Sequence, residues 1–259
     1  MLYLLTFFSF LFSSSSYFDA DPFYLFYYES QQFNQNEYDV NLDIRPAFKS
    51  NYKNITDINY NAWYYYNDNA PNLENTSNRY VGKGSSFYNS IHFDYFNDFV
   101  LFSIEPYIHT SENLHFINQH SNPMFQALND GFAHENRPYI DYGLRETQLI
   151  LQKNSYGIGF ANTNMWWGPG IHNSLHMSNN TSGFKYFFLG TTAEKKYNQL
   201  GYNLRYIFSK LDKNIAKPFY TGLARDFTYY GNLITSVGFF RSFLSGGNLS
   251  SEDVSMTDA

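Results

Sequence analysis

The sequence predicts an all-β fold, namely an antiparallel transmembrane β-barrel of the outer-membrane type. Three observations carry that expectation. Apolar or aromatic residues alternate with polar ones over runs of about 9 to 11 residues, enough to cross a bilayer when tilted, whereas strands of soluble proteins average about 5 to 6. Aromatics make up 21% of the chain, with 27 Phe and 25 Tyr, and many fall near strand ends, where an interfacial girdle would use them. Charged residues are only 15%, so neutral polar groups must fill the polar positions. Alternation alone does not separate a barrel from a sandwich, because both give a period of two.

Residues 1–16 read as a signal peptide. Leu2 to Phe12 is nearly all apolar and far shorter than the roughly 20 residues of a membrane-spanning helix. Ser13 to Ser16 then supply small residues for cleavage. Residues 17–259 form the β-domain. Tyr38 to Arg45 opens it, with Tyr38, Val40, Leu42 and Ile44 on one face and Asp39, Asn41, Asp43 and Arg45 on the other. The same period returns over 57–66 and 86–96, and again over 98–108, where Pro106 argues for a bulge or a strand end. Residues 141–152 and 155–165 look like a hairpin, and later strands are expected over 198–209, 219–229 and 233–243. The intervals 67–84, 109–138 and 167–182 are loops, the second with room for a short helix. The polar tail from Leu244 to Ala259 is not a closing strand, so the chain is expected to be either a small barrel with a polar tail or the first part of a larger one.

Composition excludes several functions. Seventeen Lys and Arg against 23 Asp and Glu give a net charge of -6 with no basic run, so nucleic acid is not an expected partner. With no cysteine, thiol catalysis and cysteine-rich metal sites are ruled out. Mean hydropathy is -0.45, which does not suit a bundle of apolar helices. Nucleotide-binding glycine loops, zinc-protease motifs and nucleophile elbows are absent, so no enzyme activity, cofactor or metal is expected.

The most distinctive stretch is Trp166-Trp167-Gly168-Pro169-Gly170, followed by His172, Asn173, Ser174, Ser178, Asn179 and Asn180. Amide, hydroxyl and imidazole groups can hydrogen-bond sugar hydroxyls, and a Trp face can pack against a pyranose ring. The competing reading makes the rings girdle residues and the polar run an internally satisfied loop. Arg145, Glu146, Arg205, Arg225 and Arg241 lie in or near strands and are expected to face a barrel lumen, because charge on a lipid face is costly.

The segment Trp-Trp-Gly-Pro-Gly with Asn173-Ser174-Leu175 and Ser178-Asn179-Asn180 resembles the bacterial capsule assembly proteins of the Wzi family. Tyr156-Gly157-Ile158-Gly159-Phe160 before it, and Gly222 to Arg225 and Val237 to Ser242 after it, are similar in style to family strands. Thr181 stands where relatives tend to carry alanine. The resemblance implies a protein of the bacterial outer membrane that binds or helps assemble capsular polysaccharide at the cell surface. Its partners would be that polysaccharide, outer-membrane lipid and the barrel-insertion machinery. The chain would then be an incomplete barrel, the N-terminal part and about half of a larger one, truncated at its C-terminal end. A porin-like channel and an exported soluble carbohydrate-binding β-domain are the alternatives.

Overall fold

The computed structural model describes residues 6–9, 17–21, 25, 28–30, 33–34, 41–48, 54–69, 71, 76–116, 137–170, 173–180, 183–211 and 217–246. Among them are β1 (Thr6–Ser9), β2 (Tyr17–Phe18), β3 (Ile44–Arg45), β4 (Ala47–Phe48), β5 (Ile55–Asn67), β6 (Gly84–Phe96), β7 (Val100–Ser111) and β8 (Tyr139–Lys153). There follow β9 (Tyr156–Ala161), β10 (Trp166–Trp167), β11 (Tyr186–Thr191), β12 (Lys195–Tyr197), β13 (Leu200–Lys210), β14 (Phe219–Tyr230) and β15 (Ile234–Ser245).

One 11-stranded antiparallel sheet organises the chain, in the order β1-β5-β6-β7-β8-β9-β11-β13-β14-β15, with β12 attached to β13. Long uninterrupted ladders fix the main registers, whether the connection is long, as between β5 and β6, or three residues, as between β14 and β15. β5 and β6 stay paired from Ile55↔Phe96 to Asn67↔Gly84, and β14 and β15 from Phe219↔Ser245 to Tyr230↔Ile234. The irregular place lies between β7 and β8, where the register shifts between Ser103 and Glu105. The extra residue is on β8, where Glu146 takes a left-handed φ of 45°. Pro106 sits just beyond this shift, close to the interruption its ring suggests.

The two faces of the sheet are opposite in polarity to those of a typical core-bearing sheet. Along β6, Ser86, Tyr88, Ser90, His92 and Asp94 are buried, while Phe87, Ile91 and Tyr95 are exposed. β5 repeats this, with Asp57, Trp63 and Asn67 buried and Ile58, Tyr60 and Tyr66 exposed. The buried face is covered by the chain's own short segments. β2 pairs with β4, β3 pairs with β10, and loop residues around Arg79 and Asn164 fill the space between them. Tyr17, Phe48, Phe96, Trp167, Phe188 and Ile207 belong to one apolar cluster where these segments meet the sheet.

The barrel expectation is corrected by this topology. The sheet ends on β1 at one side and β15 at the other, and these edges are not paired with each other among the described residues. A membrane-spanning β structure needs closure, since lipid offers nothing to the backbone groups of an open edge. The reading as an outer-membrane barrel with transmembrane strands, and the placement in the bacterial outer membrane, therefore fall with the closure. No helix among the described residues is long and apolar enough to cross a membrane.

Individual elements also differ from expectation. Of the 38–45 interval only 41–45 are described, and among these Ile44–Arg45 forms a strand whose partner is β10, not a neighbour in the large sheet. Asn41 to Asp43 turns instead, with Asp43 N–H donating to Asn41 Oδ1 at 2.7 Å. The 155–165 strand stops at Ala161, and β11 was not anticipated because Phe187 and Phe188 interrupt any clean alternation. The helix considered within 109–138 falls mostly on residues outside the described set, as does the tail beyond Gly246.

Gly159 tests how closely the strands approach, because a Cβ there would lie 2.1 Å from the Leu149 carbonyl oxygen. Gly159→Ala is expected to lower unfolding free energy by about 2 kcal/mol in urea titration. The adjacent Phe160, 70% exposed, is expected to tolerate Phe160→Ser within about 0.5 kcal/mol. Equal losses at the two positions would contradict the assignment of faces.

Candidate functional site

The bulge in β8 builds a charged network on the buried face. In a regular strand Arg145 and Glu146 would point to opposite sides, but the inserted residue lets both side chains turn inward. Arg145 Nη2 meets Glu146 Oε1 at 3.1 Å, and its Nε lies 3.6 Å from Glu105 Oε2 on β7. His92 on β6 bridges two acids, with Nδ1 3.2 Å from Glu105 and Nε2 2.9 Å from Asp94. Hydroxyls fill the remaining acceptor sites. Ser90 donates to Glu105, Ser103 to Asp94 at 2.5 Å, and Tyr17 to Glu146 at 3.0 Å.

Burial alone would push His92 down, but Asp94 and then Glu105 hold it well above the ordinary histidine range. For Glu105 burial acts upward and is outweighed by the Arg145 charge and by His92 and Ser90, leaving the carboxyl well below its usual range. Arg145 follows the same logic. Burial opposes its charge, and Glu105 with its neighbours more than restores it. Each charge is thus compensated, which is the condition for burying it at all.

A second polar centre fastens the segment 41–43 to the far side of the sheet. Asn41 Nδ2 donates to Asp226 Oδ2 and to Thr228 Oγ1, both at 2.5 Å, and Ser236 donates to Asp43 at 2.5 Å. Asp226 Oδ1 has no hydrogen-bond partner. Burial, then the nearby Asp43 charge, raises the Asp226 carboxyl to about 7. Burial and then Asp21 raise Asp19 to about 7 as well.

The tryptophan pair is an anchor. Trp166 and Trp167 are both 0% exposed. Arg45, itself fully buried, lies 5.4 Å above the Trp166 ring, and Trp166 Nε1–H donates to the Gly170 carbonyl at 2.8 Å. Trp167 stacks on His176 at 5.7 Å and 8°, and packs near Phe240 at 6.3 Å. With its face filled in this way, Trp167 has no room for a sugar ring.

What these rings do is fold the following loop back on itself. Gly168 adopts φ +128°, which a side chain would strain, and its N–H donates to the Asp43 carbonyl at 2.7 Å. Leu175 N–H donates to the Trp167 carbonyl at 3.0 Å. Asn179 is buried, taking Asn164 Nδ2 on its Oδ1 at 2.6 Å and Ser77 N–H on its carbonyl at 2.7 Å. The loop therefore presents Pro169, Asn173 and Leu175 to solvent, with Ser174, His176, Ser178 and Asn180 half-buried. His172 lies outside the described residues. Burial lowers His176 from the ordinary histidine value, so its ring is neutral near pH 7.

The five charges expected to line a lumen divide. Arg145 and Glu146 join the network, and Arg205 is buried with its Nη2 donating to the Pro46 carbonyl at 2.6 Å. Arg225 and Arg241 require correction, because both stand on the exposed face, where Arg225 pairs with Phe239 and Arg241 with Leu223 across β14 and β15. The inward residues of β14 include Gly222, Ala224, Asp226 and Thr228. Nor do the strands among the described residues close into a lumen for any of them to line. Sequence reasoning missed His92, Asp94, Glu105 and Asp226 as a site. The polar faces of 86–96 and 98–108 did contain the first three, but only the register brings them level.

Comparison with family models, with curated proteins and with solved structures finds no match to this chain. Membership of the Wzi family, which rested chiefly on residues 164–180, is accordingly withdrawn, and with it the assembly role in capsule formation. The motif's residues have a local reason to be what they are. Trp166 and Trp167 fill the interior, Gly168 supplies a left-handed turn, and Asn179 caps buried polar groups.

Arg145→Met is expected to destabilise the fold by about 3–5 kcal/mol in denaturant titration, since it strands Glu105 and Glu146 without their cation. A loss under about 1 kcal/mol would mean that water reaches this network.

Asp226 gives a pH prediction with a definite sign. Its folded pKa is about 7 and its unfolded value about 3.9, so between those values the folded chain holds a proton that the unfolded chain releases. Stability therefore falls as pH rises through that window, and the penalty is complete above about 7. Asp226→Asn is expected to raise Tm at pH 8 by a few degrees and to change it little near pH 4. An equal effect at both pH values would refute the raised pKa.

Proposed function

We propose that this chain is a carbohydrate-binding β-domain without catalysis of its own, and that the loop over residues 168–180 meets the sugar. The observation that carries the reading is a loop fastened at Trp167 and at Asn179 whose described exposed residues are all uncharged, Asn173 polar and Pro169 and Leu175 apolar. Between Gly168 and Asn180 there is no Lys, Arg, Asp or Glu. Asn173 is exposed and Ser174 half-buried, and together they offer donors and acceptors suited to hydroxyl pairs. Leu175, 71% exposed, adds an apolar patch for the C–H face of a pyranose. Half-buried Tyr220 places its Oη 3.4 Å from His176 Nε2 and 3.3 Å from Met177 Sδ, holding this side of the loop against β14.

The tryptophans serve this reading as a mount. Trp167 holds the loop through its backbone and through His176, so little conformational freedom is left to lose on binding. The noncatalytic part is supported by how the buried acids are used. Asp94, Glu105 and Glu146 are engaged by His92, Arg145, Tyr17 and serine hydroxyls, which leaves them poorly placed for proton transfer to a ligand.

The test is a glycan array of neutral and uronic-acid-containing oligosaccharides, followed by calorimetry on any hit. Asn173→Ala combined with Ser174→Ala is expected to weaken binding about tenfold, on the order of one or two hydrogen bonds. The folded chain binding no glycan at millimolar concentration would overturn the proposal. So would an affinity unchanged in the double variant.

A further inference from the structure

We propose that the exposed face of β8, β9, β11 and β13 carries a trough for an anionic lipid, with the phosphate headgroup held between Lys185 and Lys210. The trough has a volume of about 1130 Å³, above the roughly 300–1,000 Å³ of ordinary small-molecule sites. Strand length explains why it is there. β9 and β11 have six residues each, set between β8 with 15 and β13 with 11, so the sheet is notched.

Register explains its chemistry. Leu149 pairs with Phe160, Phe160 with Phe187 and Phe187 with Phe208, giving a continuous apolar row across all four strands. Phe160 and Phe187 meet edge to face at 5.7 Å and 70°. Two residues further along β13, and two residues before Phe187, stand Lys210 and Lys185 on the same face. Ser209 Oγ–H donates to the Lys185 carbonyl at 2.5 Å, which keeps these two strand ends together.

Two ammonium groups at the same level on neighbouring strands repel mildly even in solvent, an anion between them relieves this, and Lys210 Nζ otherwise rests 5.6 Å over the Phe219 ring. None of the ion pairs among the described residues involves either lysine. The nearby polar side chain of Asn162 is already used, accepting from Thr147 N–H at 2.7 Å and donating to the Leu144 carbonyl at 3.1 Å. Apolar wall and paired cations at one end match a molecule with acyl chain and anionic head. The lysine stems can lie along the wall while their ammonium groups stay at the rim. This site is independent of the sugar-binding proposal, since it lies on the opposite face of the sheet from the tryptophan anchor.

The probe is dodecyl phosphate, titrated below its micelle concentration into the full chain, with dodecylphosphocholine as the same chain carrying no net charge. The wild type is expected to bind dodecyl phosphate at least tenfold more tightly. Lys185→Gln with Lys210→Gln should erase that preference with Tm unchanged, because both side chains are exposed. Phe187→Ser with Phe208→Ser should weaken both amphiphiles. Equal binding of the two probes by the wild type would reduce the trough to apolar adsorption and overturn the proposal. So would a preference that survives loss of both lysines, no binding at all, or binding only to phosphatidylglycerol vesicles, which would assign the face to a bilayer surface.

Discussion

Arg145, buried on the polar face of the sheet, meets two carboxylates because β8 bulges beside it. That contact sets the terms for the rest of the buried face. Glu105 can be buried only because Arg145 and His92 reach it, and His92 keeps its charge only because Asp94 stands on its other side. Three strands contribute to the set, so their relative register must be correct before any of the charges is satisfied. A one-residue slip would turn His92 and Asp94 to the apolar face. Here the polar groups do the specifying that a packed apolar core does elsewhere, and the apolar cluster around Trp167 and Ile207 is confined to one part of the interior.

This inversion decides how much of the fold was legible. Long strands such as β5, β6, β8 and β14 announce themselves by alternation, since a two-residue period survives whichever face is buried. Which face is buried is a different question. Ile58, Tyr60, Phe87 and Ile91 look equally like core residues and like outward-facing ones, and alternation cannot tell these apart. Closure is also invisible to local pattern, because it depends on whether β1 and β15 meet. β11 escaped notice since Tyr186-Phe187-Phe188-Leu189 shows no period, although alternate residues do face opposite ways. Arg225 and Arg241 were misplaced for a related reason. Penalties against charge on an outer face were argued for lipid, and an open sheet with exposed edges does not impose them.

The Trp-Trp-Gly-Pro-Gly segment shows why a short motif is a weak guide to family. Every residue in it answers a constraint of its immediate surroundings. Trp166 stacks with a buried Arg45, Trp167 with His176, and Gly222 on β14 leaves room for the Trp167 ring, whose Cη2 would lie 2.9 Å from any added Cβ. Any chain that must turn a loop back over its own interior faces similar demands. Similar residues can therefore arise without shared ancestry, and the rest of the chain supplies no independent match.

The charged network and the loop are nevertheless joined physically. Glu146, which receives Arg145, also lies 3.4 Å from the Asn164 backbone N–H. Asn164 in turn donates to Asn179 Oδ1 and Ser77 Oγ, both at 2.6 Å, and accepts from Gly183 N–H at 2.6 Å. The C-terminal end of the loop is thus pinned by a side chain whose own backbone rests on the network. The N-terminal end is pinned by Trp167 and by Asp43, the residue whose charge raises Asp226. The hold on Asn173 and Ser174 comes from outside the loop. It is inherited from buried polar groups at both ends, and those groups are ordered only when the strands beneath them are in register.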